Sequence, residues 1–233
     1  MIKFFLTLSI TLLFIANASE AKNNHYGHNH DIKEQSITTN GVFTLSEAPD
    51  DHVLGSISAP ITFIVWASVT CPHCSDWFSN EWPIFKKILV ETGKVRFVFR
   101  ELPTQPAQLA MLGFMMAECA APERYFDIIE FQMLNQKEML EMASKGEALS
   151  FYKKIGIMSG LKDDNAINTC MQTEEKYKHI INNGKRAQSA GVSGVPSFYI
   201  NGKNYNKELD AINLINLVEK MNQRGSSDFT DLN

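Results

Sequence analysis

Thr70–Phe78 reads TCPHCSDWF. Two cysteines, Cys71 and Cys74, enclose Pro72 and His73 and directly follow the apolar run ITFIVWA (Ile61–Ala67). A CxxC pair can be half of a zinc site, a crosslink, or a dithiol that cycles with its disulfide. No second CxxC or HxxxH of suitable spacing completes a zinc site, so no metal is expected at the pair. As a crosslink the pair gains little, because the entropic benefit of a disulfide grows with the loop it closes. Position favours the third reading, and the flanking elements supply the reason.

ITFIVWA is short, continuously apolar and rich in β-branched and aromatic residues, the texture of a strand buried on both faces. After the cysteines the period changes. Phe78, Trp82, Phe85 and Leu89 are spaced four, three and four, which is one face of a helix, and Pro83 is expected to kink it. GKVRFVFREL (Gly93–Leu102) reads as a second strand. Strand, helix and strand make a βαβ unit, so the two strands should run parallel. Cys71 then stands where a buried strand turns into a helix. Unpaired backbone N–H groups and the helix dipole favour an anion there, and a thiolate so placed has a lowered pKa. Pro72 falls in the first turn, where a missing N–H costs nothing. His73 adds ring donors and a possible positive charge. Roughly three pKa units of thiolate stabilisation is about 4 kcal/mol. On a two-electron couple that is on the order of 90 mV toward oxidising.

From Pro106 to Gln188 the chain is rich in Leu, Met, Ala, Glu and Lys, and reads as several helices broken near Pro122, Lys145–Gly146 and Gly160. VPSFYI followed by Asn201-Gly202 signals a strand and a hairpin turn, and a final helix is expected from about Glu208. The fold class is therefore α/β: βαβ, a helical insertion, then ββα. The boundaries expected are a two-part α/β domain over 43–105 and 189–222, the insertion over 106–188, and a disordered tail over 223–233.

CPHC after a buried strand, FRELP (Phe99–Pro103), a helical insertion and GVSGVPSFYINGK (Gly191–Lys203) together resemble the DsbA-type thiol–disulfide oxidoreductases of the thioredoxin superfamily. The resemblance covers roughly Asp51 to Lys220. It implies a thioredoxin-like fold with an inserted helical domain, and no cofactor beyond the cysteines. It implies that Cys71 is the nucleophile and the more exposed sulfur of the two, that Cys74 resolves mixed disulfides, and that Val195-Pro196 is a cis-proline loop beside them whose backbone binds an extended peptide. Isomerase-type relatives tend to carry threonine at the place of Val195. Val65 departs from the pattern, because relatives often bury an acid there to take the proton of the second thiol. Cys119 and Cys170 both fall in the insertion. A disulfide between them is expected, since the cysteine count is even and some relatives carry such a pair; two buried thiols are the alternative.

The 233 residues are 44% hydrophobic and 21% charged, with a formal net charge of -4 and no long basic run. That composition suits a globular chain and gives no electrostatic reason to expect nucleic acid as a partner. Lys3, an apolar stretch from Phe4 to Ala16 and small residues at Ala18 and Ala21 have the layout of a cleaved signal peptide over 1–21. Export to the periplasm, an oxidising compartment, is the expectation. Residues 22–42 read as a flexible polar leader. It contains His25, His28 and His30, a histidine-rich tract read as solvated tail in preference to a specific metal site. The leader lacks heptads, so a monomer is expected. The partners implied are reduced exported proteins as substrates and a DsbB-like membrane protein as reoxidant. The alternatives are an isomerase or reductase of the same superfamily, or a metal-binding or chaperone-like module built on the histidine tract and the Met-rich helices.

Overall fold

The computed structural model describes residues 45–225. The signal-like segment 1–21, the leader 22–42 with its three histidines, and residues 226–233 of the tail lie outside the described residues.

Chain entry is through β1 (His52–Leu54) and β2 (Ile61–Ala67). Helices α1 (Pro72–Asn80) and α2 (Trp82–Phe85), a π-helical turn (Lys86–Val90) and β3 (Val95–Glu101) follow. The expected parallel pairing is present, from Ile61 opposite Val95 to Ala67 opposite Glu101. Two antiparallel strands, β4 (Ser197–Ile200) and β5 (Lys203–Tyr205), complete a sheet of order β1-β3-β2-β4-β5. β1 was not anticipated; three residues are too few for an alternating pattern to show.

β2 is apolar apart from Thr62 because alternate residues feed two cores. Ile61, Phe63, Val65 and Ala67 join Phe97, Phe99, Phe198 and the helical Phe78, Trp82, Phe85 and Leu89 on one face. Ile64 and Trp66 join Val98, Tyr199 and Leu45 on the other. The four-three-four spacing thus points inward as expected, but Pro83 does not merely kink one helix. The chain breaks at Glu81, and Pro83 enters the first turn of α2. There its missing N–H is one that the start of a helix leaves without an intrahelical partner in any case.

The helical segment comprises α3 (Ala107–Glu118), a 3₁₀ turn (Pro122–Arg124), α4 (Tyr125–Leu134), α5 (Gln136–Ser144), α6 (Ala148–Met158), α7 (Asp164–Met171) and α8 (Glu174–Ser189). The breaks expected near Pro122, Gly146 and Gly160 are found, the two glycines at φ 78° and 91°. Further breaks fall at Asn135 and Thr173, which carry no Gly or Pro to mark them. Cys119, at the end of α3, is disulfide-bonded to Cys170 in α7, with Cα atoms 6.0 Å apart. Ala187 of α8 packs into the second-face core. At the hairpin Asn201 and Gly202 both have positive φ, 47° and 79°, as the Asn-Gly pair requires.

α9 (Ala211–Arg224) starts three residues after Glu208. Asp210 caps it by accepting from the Asn213 N–H at 3.0 Å. The Glu81 carboxylate accepts from the Ala211 N–H at 2.7 Å, tying α9 to the α1–α2 break. Gln223 and Arg224 are helical, so α9 extends into the segment expected to be tail.

One buried ion pair anchors the entry segment. Arg100 of β3 donates to both carboxylate oxygens of Asp51 at 2.8 Å, and neither side chain has solvent exposure. Arg100 also donates to the Ser46 carbonyl at 2.8 Å, and its guanidinium lies 4.9 Å from the Trp66 ring. Removing one partner of such a pair strands a buried charge. Asp51→Ala is therefore expected to cost about 3–5 kcal/mol in urea unfolding. A loss below about 1 kcal/mol, the range of exposed pairs, would show the pair to be dispensable.

Candidate active site

The site begins with the loop after β2. Ser68 and Thr70, both buried, share a hydroxyl hydrogen bond of 3.1 Å. The Thr104 N–H donates to the Ser68 hydroxyl at 3.2 Å, and the Thr70 hydroxyl donates to the Thr104 carbonyl at 3.0 Å. The strand-to-helix turn is thus pinned to the chain leaving β3. Cys71 follows as the N-cap of α1, with extended backbone (φ -87°, ψ 121°), and Pro72 opens the helix. The Cys71 carbonyl accepts from the N–H groups of Cys74 and Ser75, each at 3.1 Å. The N-terminal placement inferred from the strand-to-helix texture is present.

The helical segment grips this turn. Gln136 of α5, itself buried, donates its amide to the carbonyls of Val69 at 2.9 Å and Cys71 at 3.0 Å. Ser75 donates to the Met133 carbonyl of α4 at 2.7 Å. No spacing rule points to Gln136; the one signal in retrospect is a polar residue on the buried side of its helix. On the opposite side stands the turn before β4. The Val195–Pro196 bond is cis, and the Cys71 thiol reaches the Val195 carbonyl at 3.4 Å. Cys71, His73, Cys74 and Val195-Pro196 therefore converge, with Pro72 and His73 exposed. Cys119 and Cys170 bridge α3 and α7 within the helical segment.

The two sulfurs differ sharply. Cys71 is 9% exposed and Cys74 is fully buried. The Cys71 thiol is lowered from about 9 to about 6. The largest cause is the Cys74 side chain hydrogen-bonding to it; burial opposes, and the backbone N–H groups of Cys74 and His73 and then the His73 charge assist. The sequence pointed to the helix terminus and His73. The structure adds the neighbouring thiol as the leading contribution and puts the His73 charge behind the backbone. Cys74 is driven far above the ordinary thiol range, first by burial and then by Cys71, against an opposing hydrogen bond from the Ser68 N–H at 3.4 Å. One sulfur is thus an anion near neutrality while its neighbour holds the proton. Val65, where relatives often place an acid, packs in the apolar core between Phe99 and Phe198 and offers Cys74 no proton acceptor.

A family model described as Thioredoxin matches residues 47–220. The chain belongs to the thioredoxin family. Within it, the helices between β3 and β4 give the fold seen in DsbA structures. Wolbachia pipientis alpha-DsbA1 aligns with a TM-score of 0.68 at 24% identity, over 76% of this chain and 94% of that one. Oxidised BdbD from Bacillus subtilis aligns with a TM-score of 0.62 at 17% identity, over 73% and 91%. A Rickettsia typhi protein provisionally named a protein-disulfide oxidoreductase is 25% identical over 174 residues. The match takes in 74% of this thioredoxin-family chain but 62% of that relative, less than two-thirds of its length.

Two outcomes follow from the asymmetric pair. Titrating the thiolate ultraviolet absorbance of the reduced protein should give one step near pH 6, absent in Cys71→Ser. Because the folded pKa lies below the unfolded value, the thiolate stabilises the reduced fold fully above about pH 9. That stabilisation declines as pH falls and is gone below about 6. Gln136→Leu takes the side-chain donor from the Val69 carbonyl and one of three donors from the Cys71 carbonyl, so it should destabilise the fold by about 1–3 kcal/mol and move the thiolate step upward. An unchanged step and unchanged stability would remove Gln136 from the site.

Proposed function

We propose that the chain is a dithiol oxidase that introduces disulfides into exported proteins through Cys71 and Cys74. A substrate thiolate attacks Cys71 Sγ of the oxidised pair, the Cys71–Cys74 bond breaks, and Cys74 leaves and takes up a proton. A second substrate thiolate then attacks the substrate sulfur of the mixed disulfide and expels Cys71 as a thiolate. The substrate is oxidised by two electrons and the pair is reduced. A low-pKa sulfur is a good leaving group, so the second step favours release of oxidised substrate. The observation that carries this reading is the contrast between the lowered Cys71 thiol and the raised, buried Cys74.

Peptide binding fits the same place. Val195 precedes the antiparallel strand β4, its carbonyl is against Cys71, and an extended substrate segment would add there as a strand. Valine at this position and a leader without heptads favour an oxidase acting as a monomer over an isomerase. Export to the periplasm rests on the segment 1–21, and reoxidation falls to a DsbB-like membrane protein. Among the described residues no helix is long and apolar enough to cross a membrane.

The test is oxidation of a reduced, unfolded multi-cysteine protein. The oxidised chain should form substrate disulfides stoichiometrically, Cys71→Ser should form none, and the potential should lie well above the about -270 mV of thioredoxin. A potential near that value would favour a reductant.

A further inference from the structure

A second group of chemically capable side chains lies outside the cysteine site. His52 of β1, Glu101 at the end of β3, Glu118 at the end of α3 and His179 of α8 turn toward one point. One donor atom from each lies within 4.8 Å of all the others. His52 Nε2 is 2.6 Å from Glu118 Oε1 and 3.7 Å from Glu101 Oε1. His179 Nε2 is 3.6 Å from Glu101 Oε2 and 3.7 Å from Glu118 Oε1. Tetrahedral ligands at zinc bond lengths of about 2.0–2.1 Å sit about 3.4 Å apart. The three longer separations are close to that spacing, and the His52–Glu118 pair, hydrogen-bonded at 2.6 Å, would open to it on binding.

We propose that His52, Glu101, Glu118 and His179 bind one divalent transition-metal cation, for which zinc is the best match. Two borderline imidazoles joined by two harder carboxylates form a donor set that zinc accepts. Their charges also balance: two ionised carboxylates and two neutral imidazoles around a divalent ion sum to zero, inside a site where Glu101 has no exposure. Outer partners hold the ligands as metal sites require. Tyr125 donates to Glu101 Oε1, and its ring stacks on His52 at 3.5 Å. Asn183 donates to Glu101 Oε2 at 2.5 Å, and Asp50 Oδ2 is 3.7 Å from His179 Nδ1. The Arg186 guanidinium is engaged with Asp50 and Asn183, and the Lys176 ammonium bonds the Glu118 main-chain carbonyl. The competing occupant is a proton on His179. Burial disfavours that proton, while Glu101, Glu118 and Asp50 raise the imidazole to about 9. The ion would clamp β1 and β3 to the end of α3 and to the body of α8. Glu118 is next to Cys119, so the disulfide fixes the same helix end.

The other candidate ligands must be silenced for the test. Calorimetric titration with zinc uses the full chain carrying C71S, C74S, H25A, H28A and H30A. One equivalent should bind, and adding E118Q or H52Q should weaken it at least tenfold. Cobalt(II) in the same chain should give the visible bands of a four-coordinate ion, lost in E118Q. Absence of a first bound equivalent in the starting chain overturns the site. So does equal affinity in folded E118Q and H52Q chains. Should neither variant fold, the cobalt spectrum decides, and one lacking four-coordinate bands counts against the site.

Discussion

One contact organises the chemistry: the hydrogen bond from the Cys74 side chain to the Cys71 sulfur at the start of α1. It exists because Cys74 lies one turn inside the helix, fully buried, where its own ionisation is strongly opposed. Burial that would deter a lone thiolate is here directed at the partner, which keeps its proton and shares it. The redox direction is a consequence of that division. A pair of equally exposed thiols with the same CxxC spacing would have no built-in preference for the reduced state.

The surrounding fold maintains the division. β2 delivers the chain to the turn between two apolar cores, and the Ser68–Thr70–Thr104 hydroxyl network fixes where the strand ends. The helical segment contributes through Gln136 and Ser75, which hold the first turn of α1 from a direction the sheet cannot reach. In this chain the insertion is therefore part of the active-site scaffold as well as a cover.

The parts legible in the sequence were those with a local signature. Ile61–Ala67 announced a doubly buried strand, the 78-82-85-89 spacing announced a buried helix face, and Asn201-Gly202 announced a hairpin. Parallel pairing followed from the order of elements. Three-residue β1 was too short to register, and the break at Glu81 depended on how Pro83 could be accommodated. Gln136 and the His52–Glu101–Glu118–His179 cluster escaped for a different reason. Their meaning lies in tertiary proximity between residues far apart in the chain, and no spacing pattern records it.

The pH dependence of the reduction potential tests the central claim most directly. Reducing the disulfide takes up two protons when both sulfurs end as thiols, and one when Cys71 ends as a thiolate. The potential, set in defined thiol–disulfide buffers, should fall by about 59 mV per pH unit below pH 6 and by about 30 mV per unit above it. A slope that stays near 59 mV per unit up to about pH 8.5, the ordinary thiol value, would contradict the account.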